Sequence, residues 1–253
     1  MNKLPANTGW QWIKQAFSLF RKQPFALTAL MLSCLFLSVA FLLIPLFGPI
    51  LPVLTIPLFS AALLQACADI DQGKPVHSGL LFVAFKRQTL WPLAALGSLY
   101  LLVTLLAFGV MCWMDDGRLL KMALNETPFD IALLEESKYA VQTATTIMQL
   151  AWLFSCFATP LIYWQKMSLG KALFFSFFSV ARALKAFATS VIIFFVVSQF
   201  AGLLAAIVFG TTQAIILILP ITLLSMVLIH CWLYVSYRQI FGAVPEQEAA
   251  QAK

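Results

Sequence analysis

Charge is what this 253-residue sequence lacks most. Asp, Glu, Lys and Arg make up 10% of it against 62% hydrophobic residues, whereas a soluble domain carries about a quarter charged and roughly half apolar residues. That balance excludes a water-soluble globular fold. Histidine is nearly missing: only His77 and His230 occur, too few for metal chemistry built on several imidazoles. The five cysteines (Cys34, Cys67, Cys112, Cys156 and Cys231) form no C-x-x-C pair and are odd in number. Neither a disulfide framework nor a zinc site is indicated, and they read as small buried hydrophobes. No phosphate-binding glycine loop, G-x-S-x-G elbow or H-E-x-x-H motif occurs, so neither catalysis nor a cofactor is expected. The N-terminus has no short apolar run followed by a small-residue cleavage site, and insertion is expected through the first span itself.

What is present is six apolar runs, at 25–47, 50–68, 90–114, 141–163, 186–209 and 214–237. Each has the roughly 20 residues that cross a hydrocarbon core. They predict one all-α integral membrane domain over 1–244 with six transmembrane helices, followed by a disordered tail at 245–253. Pro24 suits the first position of a helix. Pro45, Gly48, Pro49, Pro52 and Pro57 mark a tight turn and a kinked second span. Pro160 interrupts the fourth span and Pro220 lies early in the sixth. The largest polar stretch is the loop 115–140, where Thr127, Pro128 and Asp130 have the spacing of a helix start.

Between the spans lie three stretches read as amphipathic interfacial helices, at 9–23, 78–89 and 168–185. In the first, Trp10, Ile13, Phe17 and Phe20 fall on one side, and Lys14, Ser18, Arg21 and Lys22 on the other. A helix of this kind lies with its apolar face in the membrane and its cations toward the headgroups. Trp10, Lys14, Arg21, Lys22, Lys86, Arg87, Lys171, Arg182 and Lys185 are therefore expected to form a belt. Each cation near an anionic surface contributes about 1 kcal/mol of attraction. The expected partners are anionic membrane phospholipids, with a membrane-protein partner or a second copy also open. The net charge of +6 is accounted for by the membrane, with no nucleic acid.

Six spans put both termini on one side. Thirteen of the sixteen Lys and Arg fall there, leaving Arg118, Lys121 and Lys138 opposite. The positive-inside rule then predicts cytoplasmic termini. The first and last units also read alike: Gly9 precedes Arg21 by twelve residues, as Gly170 precedes Arg182. Each continues through a span, a glycine turn (Gly48, Gly210) and a span with an early proline. Such a repeat is of the parallel type, about an axis along the membrane normal, although common topology alone also produces this spacing. No span carries a central Asp, Glu, Lys or Arg, which argues against a carboxylate relay. The mid-span amides and hydroxyls (Gln65, Gln149, Gln199, Thr104, Ser155, Ser198 and Ser225) read as interhelical glue. Asp69 and His230 are placed at comparable depth and are a candidate polar contact at the inner mouth of the bundle; a packing histidine and a helix-end acid are the alternative.

The residues Trp12, Ala16, Phe17, Leu19, Phe20, Arg21 and Pro24, the loop Asp71, Gly73 and Pro75, and Ser176, Phe177 and Arg182 carry a resemblance. The pattern resembles uncharacterised six-span bacterial inner-membrane protein families. It is also similar to the membrane domain attached to some glycerophosphodiester phosphodiesterases. The resemblance covers nearly the whole chain through degenerate motifs and implies no catalytic residues, because no phosphodiesterase domain is expected after the sixth span. The expected role is non-catalytic: handling a lipid or another apolar molecule, or supporting an envelope complex. The alternative is a small-solute channel or transporter where prolines break the second, fourth and sixth spans.

Overall fold

The computed structural model describes residues 4–124, 128, 131–209 and 211–244. The expected helix start at Thr127, the turn at Gly210 and the tail 245–253 lie outside the described residues. Among those described, every regular element is helical, and six segments are long and apolar enough to cross a membrane. The protein is an all-α, multi-pass membrane protein.

Helix α1 (Asn7–Lys22) breaks at Gln23, and Pro24 starts α2 (Pro24–Phe41) as a first-turn proline. The first span is shorter than the apolar run, because residues 42–50 form the proline turn instead. Gly48 is required there: a Cβ would stand 2.7 Å from the Leu42 carbonyl oxygen and 2.8 Å from that of Ile44. Helix α3 (Leu51–Asp71) is buried from Pro57 to Ile70 at every residue but Ser60 and is the central helix. The stretch 78–89 is not one interfacial α-helix. It is a 3-10 segment, Ser78–Phe85, after which α4 starts (Arg87–Met114). Its residues up to Phe85 are uncharged and apolar on all sides, so no polar face orients them as a surface helix, and the segment folds back onto α3.

The polar loop contains α5 (Arg118–Ala123) and α6 (Ile131–Glu136). Asp115, itself buried, accepts hydrogen bonds from the N–H groups of Gly117 (3.0 Å) and Leu119 (2.8 Å) and so starts α5. The fourth candidate span is broken into α7 (Lys138–Ser155) and α8 (Ala158–Gln165). Pro160 sets the break, since its ring conflicts with the carbonyl four residues earlier, at Cys156. Then follow α9 (Leu169–Arg182), α10 (Leu184–Phe209) and α11 (Thr211–Phe241).

The segments that precede the first, third and fifth spans are docked cyclically. Helix α1 rests on α10 and α11, the 3-10 segment rests on α2 and α3, and α9 rests on α7 and α8. Each therefore seats on the hairpin before its own, with the first closing onto the last. Close approach explains the glycines that matter. A Cβ on Gly9 would lie 2.3 Å from the Ala186 carbonyl oxygen, and one on Gly97 would lie 2.2 Å from that of Leu54, whereas Gly170 meets nothing within 4 Å. The spacing shared by Gly9 and Gly170 thus serves packing at the first position only.

Candidate functional site

One end of the bundle gathers the amphipathic segments with the ends of α3, α8 and α11, and its polar contacts join these three spans. Trp164 Nε1 donates to Gln65 Oε1 at 2.9 Å, and Gln65 Nε2 donates to Asp69 Oδ1 at 2.8 Å. Gln165 Nε2 donates to the Tyr237 hydroxyl at 2.8 Å. Asp71 accepts from Tyr234 (2.9 Å) and pairs with Arg238. Sequence reasoning missed this lattice, although Asp71 and Arg238 stand at the ends of two spans.

Asp69 and His230 do not meet. On α3, Cys67 and Asp71 are one turn apart and face α11, where Cys67 Sγ lies 3.7 Å from Cys231 Sγ. Asp69 falls about 200° around the helix from both and turns instead toward Gln65 and α8. His230 Nδ1 sits 2.8 Å from the Met226 carbonyl oxygen, which can only accept, so Nδ1 carries a proton within its own helix. Of the mid-span polar residues, Gln65 and Ser155 cross between helices; Ser155 Oγ is 3.2 Å from the Tyr100 hydroxyl. Thr104, Ser198 and Ser225 bond carbonyls of their own helices, and Gln149 and Gln199 are exposed.

The nine belt residues are all exposed, but α1 is seated differently from the expectation. Its buried face is Trp12, Ala16 and Leu19, about two-fifths of a turn from Trp10 and Phe17, which remain 42% and 50% exposed. Trp12 is wholly buried, 5.4 Å edge-on from Phe187 and 6.3 Å from Trp232, and its indole N–H donates to Gln239. The apolar arc of α1 is wide enough to serve protein on one flank and lipid on the other. Lys14 lies over Trp10 at 5.1 Å and Arg21 over Phe17 at 5.9 Å, within cation–π range.

Helix α9 builds the concave part of this end. Its small face (Ala172, Ser176 and Val180) is buried against α7 and α8. Ser176 mends the Pro160 break: its hydroxyl donates to the Phe154 carbonyl at 2.8 Å and accepts from the Phe157 N–H at 3.1 Å. The opposite face carries Lys171, Phe174, Phe175, Phe178 and Arg182 at i, i+3, i+4, i+7 and i+11, a single stripe with a cation at each end. Phe174, Phe178 and Arg182 line a cavity of about 520 Å³ closed on its far side by Gln239, Ile240 and Phe241 of α11. A shallower groove of about 710 Å³ continues past Phe174 and Phe175 to Lys166 and Lys171.

Burial, then the nearby charge of Lys86, lowers the Lys166 pKa below the ordinary 10.5. Lys166 itself has left-handed backbone, φ 52°, a sparsely populated conformation for a non-glycine residue. Among the described residues, Lys86, Lys166, Lys171 and Arg182 pair with no carboxylate; the two ion pairs are Arg238–Asp71 and Arg118–Glu136. The arrangement can take an anionic group at its cationic ends and an apolar chain against its phenyl rings.

Among known proteins, the chain is similar to a probable inner membrane protein of Burkholderia thailandensis. The two are 28% identical over 260 residues, covering 95% of this chain and 93% of the relative. No protein-family model matches the chain. No solved structure matches it either.

Proposed function

We propose that this is a non-catalytic protein of a bacterial inner membrane, with both termini in the cytoplasm, that binds an anionic phospholipid or a similar apolar anion in the groove along α9. The observation that carries the reading is the stripe of Lys171, Phe174, Phe175, Phe178 and Arg182 facing an open cavity. Phenyl rings on a charged interfacial helix that remain uncovered by protein match an acyl chain, and unpaired cations match a phosphate. The compartment is supported by the relative's description as a probable inner membrane protein, and the orientation by the cation count on the two ends. The likeness to the membrane domain of glycerophosphodiester phosphodiesterases belongs to the same reading, since a glycerophosphoryl group would suit these cations. The exposed cations of α1 and the 3-10 segment's end supply a general hold on the headgroup layer.

The channel alternative draws no support from the packing. Large side chains such as Trp12, Phe157, Tyr163, Phe187 and Tyr237 are fully buried in the core at the basic end of the bundle. The experiment is lipid quantification on full-length protein purified in mild detergent, beside ion and solute flux in liposomes. The proposal expects retained phospholipid in wild type, a severalfold loss in a Phe174→Ala, Phe178→Ala variant that still folds, and no flux. Flux without retained lipid would overturn it in favour of transport.

A further inference from the structure

A second observation lies on a different face. Helix α7 has an exposed polar stripe: Gln142, Thr145, Thr146 and Gln149 fall at i, i+3, i+4 and i+7, and all four are exposed. This is a candidate membrane span. At 1.5 Å per residue Gln149 lies roughly 16 Å along the helix from Lys138 and 9 Å from Ser155, so it is near mid-span. The two threonine hydroxyls donate to the Val141 and Gln142 carbonyls of their own helix, at 2.8 and 2.7 Å. Gln142 Nε2 reaches Thr146 Oγ1 only at 3.4 Å. Gln149 has no hydrogen bond among the described residues.

A carboxamide facing hydrocarbon without a partner is costly, and glutamine and threonine side chains on spanning helices are satisfied by hydrogen bonds across to another helix. The stripe cannot be the outer part of a polar path to the opposite face. The next positions on the same side of α7, at i+3, i+4 and i+7 from Gln149, are Trp152, Leu153 and Cys156, so the run of amides and hydroxyls stops at Gln149.

We propose that this face of α7 is the contact for a second copy of the chain, related by a two-fold axis along the membrane normal. Such an axis sets the two α7 helices parallel and brings each stripe onto its own equivalent. A carboxamide is both donor and acceptor, so Gln149 and its symmetry mate satisfy each other reciprocally. The small Thr145 and Thr146, one turn before Gln149, let the helices come close there. The contact is independent of the groove, which lies beyond α9 on the side of α11.

The test is cysteine cross-linking of full-length protein in native membranes, in a background with the half-buried Cys112 replaced by Ser. Gln149→Cys and Thr146→Cys are expected to give disulfide-linked dimers under mild copper-phenanthroline oxidation. Val196→Cys, also at an exposed position, on α10, is expected to give none. Single-molecule photobleaching in phosphatidylethanolamine–phosphatidylglycerol vesicles supplies the second readout. Gln142→Leu with Gln149→Leu leaves the packed core untouched and is expected to weaken dimerisation about threefold to twentyfold for each amide pair lost. The inference is overturned if Gln149→Cys cross-links no more than Val196→Cys. It is also overturned if the wild type bleaches in single steps, or if Gln149→Cys reacts with a charged thiol reagent from water while failing to cross-link.

Discussion

Ser176 is where one small side chain replaces a missing stretch of helix. The hydroxyl serves a carbonyl and an N–H that the Pro160 break has released, in a position with no access to solvent. Leaving a buried backbone group unpaired costs about 1–3 kcal/mol. Ser176→Ala is therefore expected to lower the thermal unfolding temperature in detergent clearly, while Ser179→Ala, on the cavity side, leaves it nearly unchanged. Lys166 gives a prediction of a different kind. Burial, with Lys86 second, makes the folded protein bind this proton more weakly than the unfolded chain does. Stability therefore rises with pH from the lowered value up toward 10.5, where the unfolded chain loses the same proton. Anion retention moves the opposite way: it is full below the lowered value and falls as pH climbs through it, ahead of the ordinary lysine range. Lys86→Gln should shift that loss to higher pH, as read by retained anionic lipid across an alkaline titration.

Among the helices, the amphipathic segments show what the sequence does and does not disclose. The existence of six spans and of charged stretches between them follows from apolar run length and cation placement, and both are visible residue by residue. Which flank of α1 meets protein is not visible that way, because Trp12, Ala16 and Leu19 are no more apolar than Trp10, Ile13 and Phe17. The choice is made by Gly9, whose missing Cβ lets α1 touch the α10 backbone at Ala186. The middle stretch precedes a span as the other two do, yet without a polar face it forms a 3-10 turn against α3. Lys171 and Arg182 of α9 stand out in the sequence as interfacial cations, but the role of Phe174, Phe175 and Phe178 between them depends on a cavity closed by the end of α11 some 60 residues later. Gly9→Ala is expected to displace α1 and destabilise by about 1–3 kcal/mol, as overpacking does. Gly170→Ala, opening into free space, is expected to leave stability unchanged or slightly raised. Denaturation of both variants in the same detergent decides it.

For the molecule as a whole, the cyclic seating of α1, the 3-10 segment and α9 ties the first hairpin to the last. The cationic end is ringed by these three segments, each seated on spans, with the Gln65, Trp164 and Tyr237 contacts among α3, α8 and α11. The opposite end carries the proline turn and the charge-mixed α5–α6 loop, with Arg118 paired to Glu136 at 2.8 Å. Reporter fusions after residue 23 and after residue 123 should report cytoplasm for the first and the far side for the second. The reverse pattern would turn the rim away from the anionic cytoplasmic leaflet and remove its partner. The groove is tested by a cryo-EM map of the full-length protein in nanodiscs of phosphatidylethanolamine and phosphatidylglycerol, three to one. The expected result is elongated density along Phe174 and Phe178, ending in a rounded headgroup beside Lys166 and Lys171. A groove closed by repacked phenyl rings, or one holding only water, would contradict a lipid-binding role.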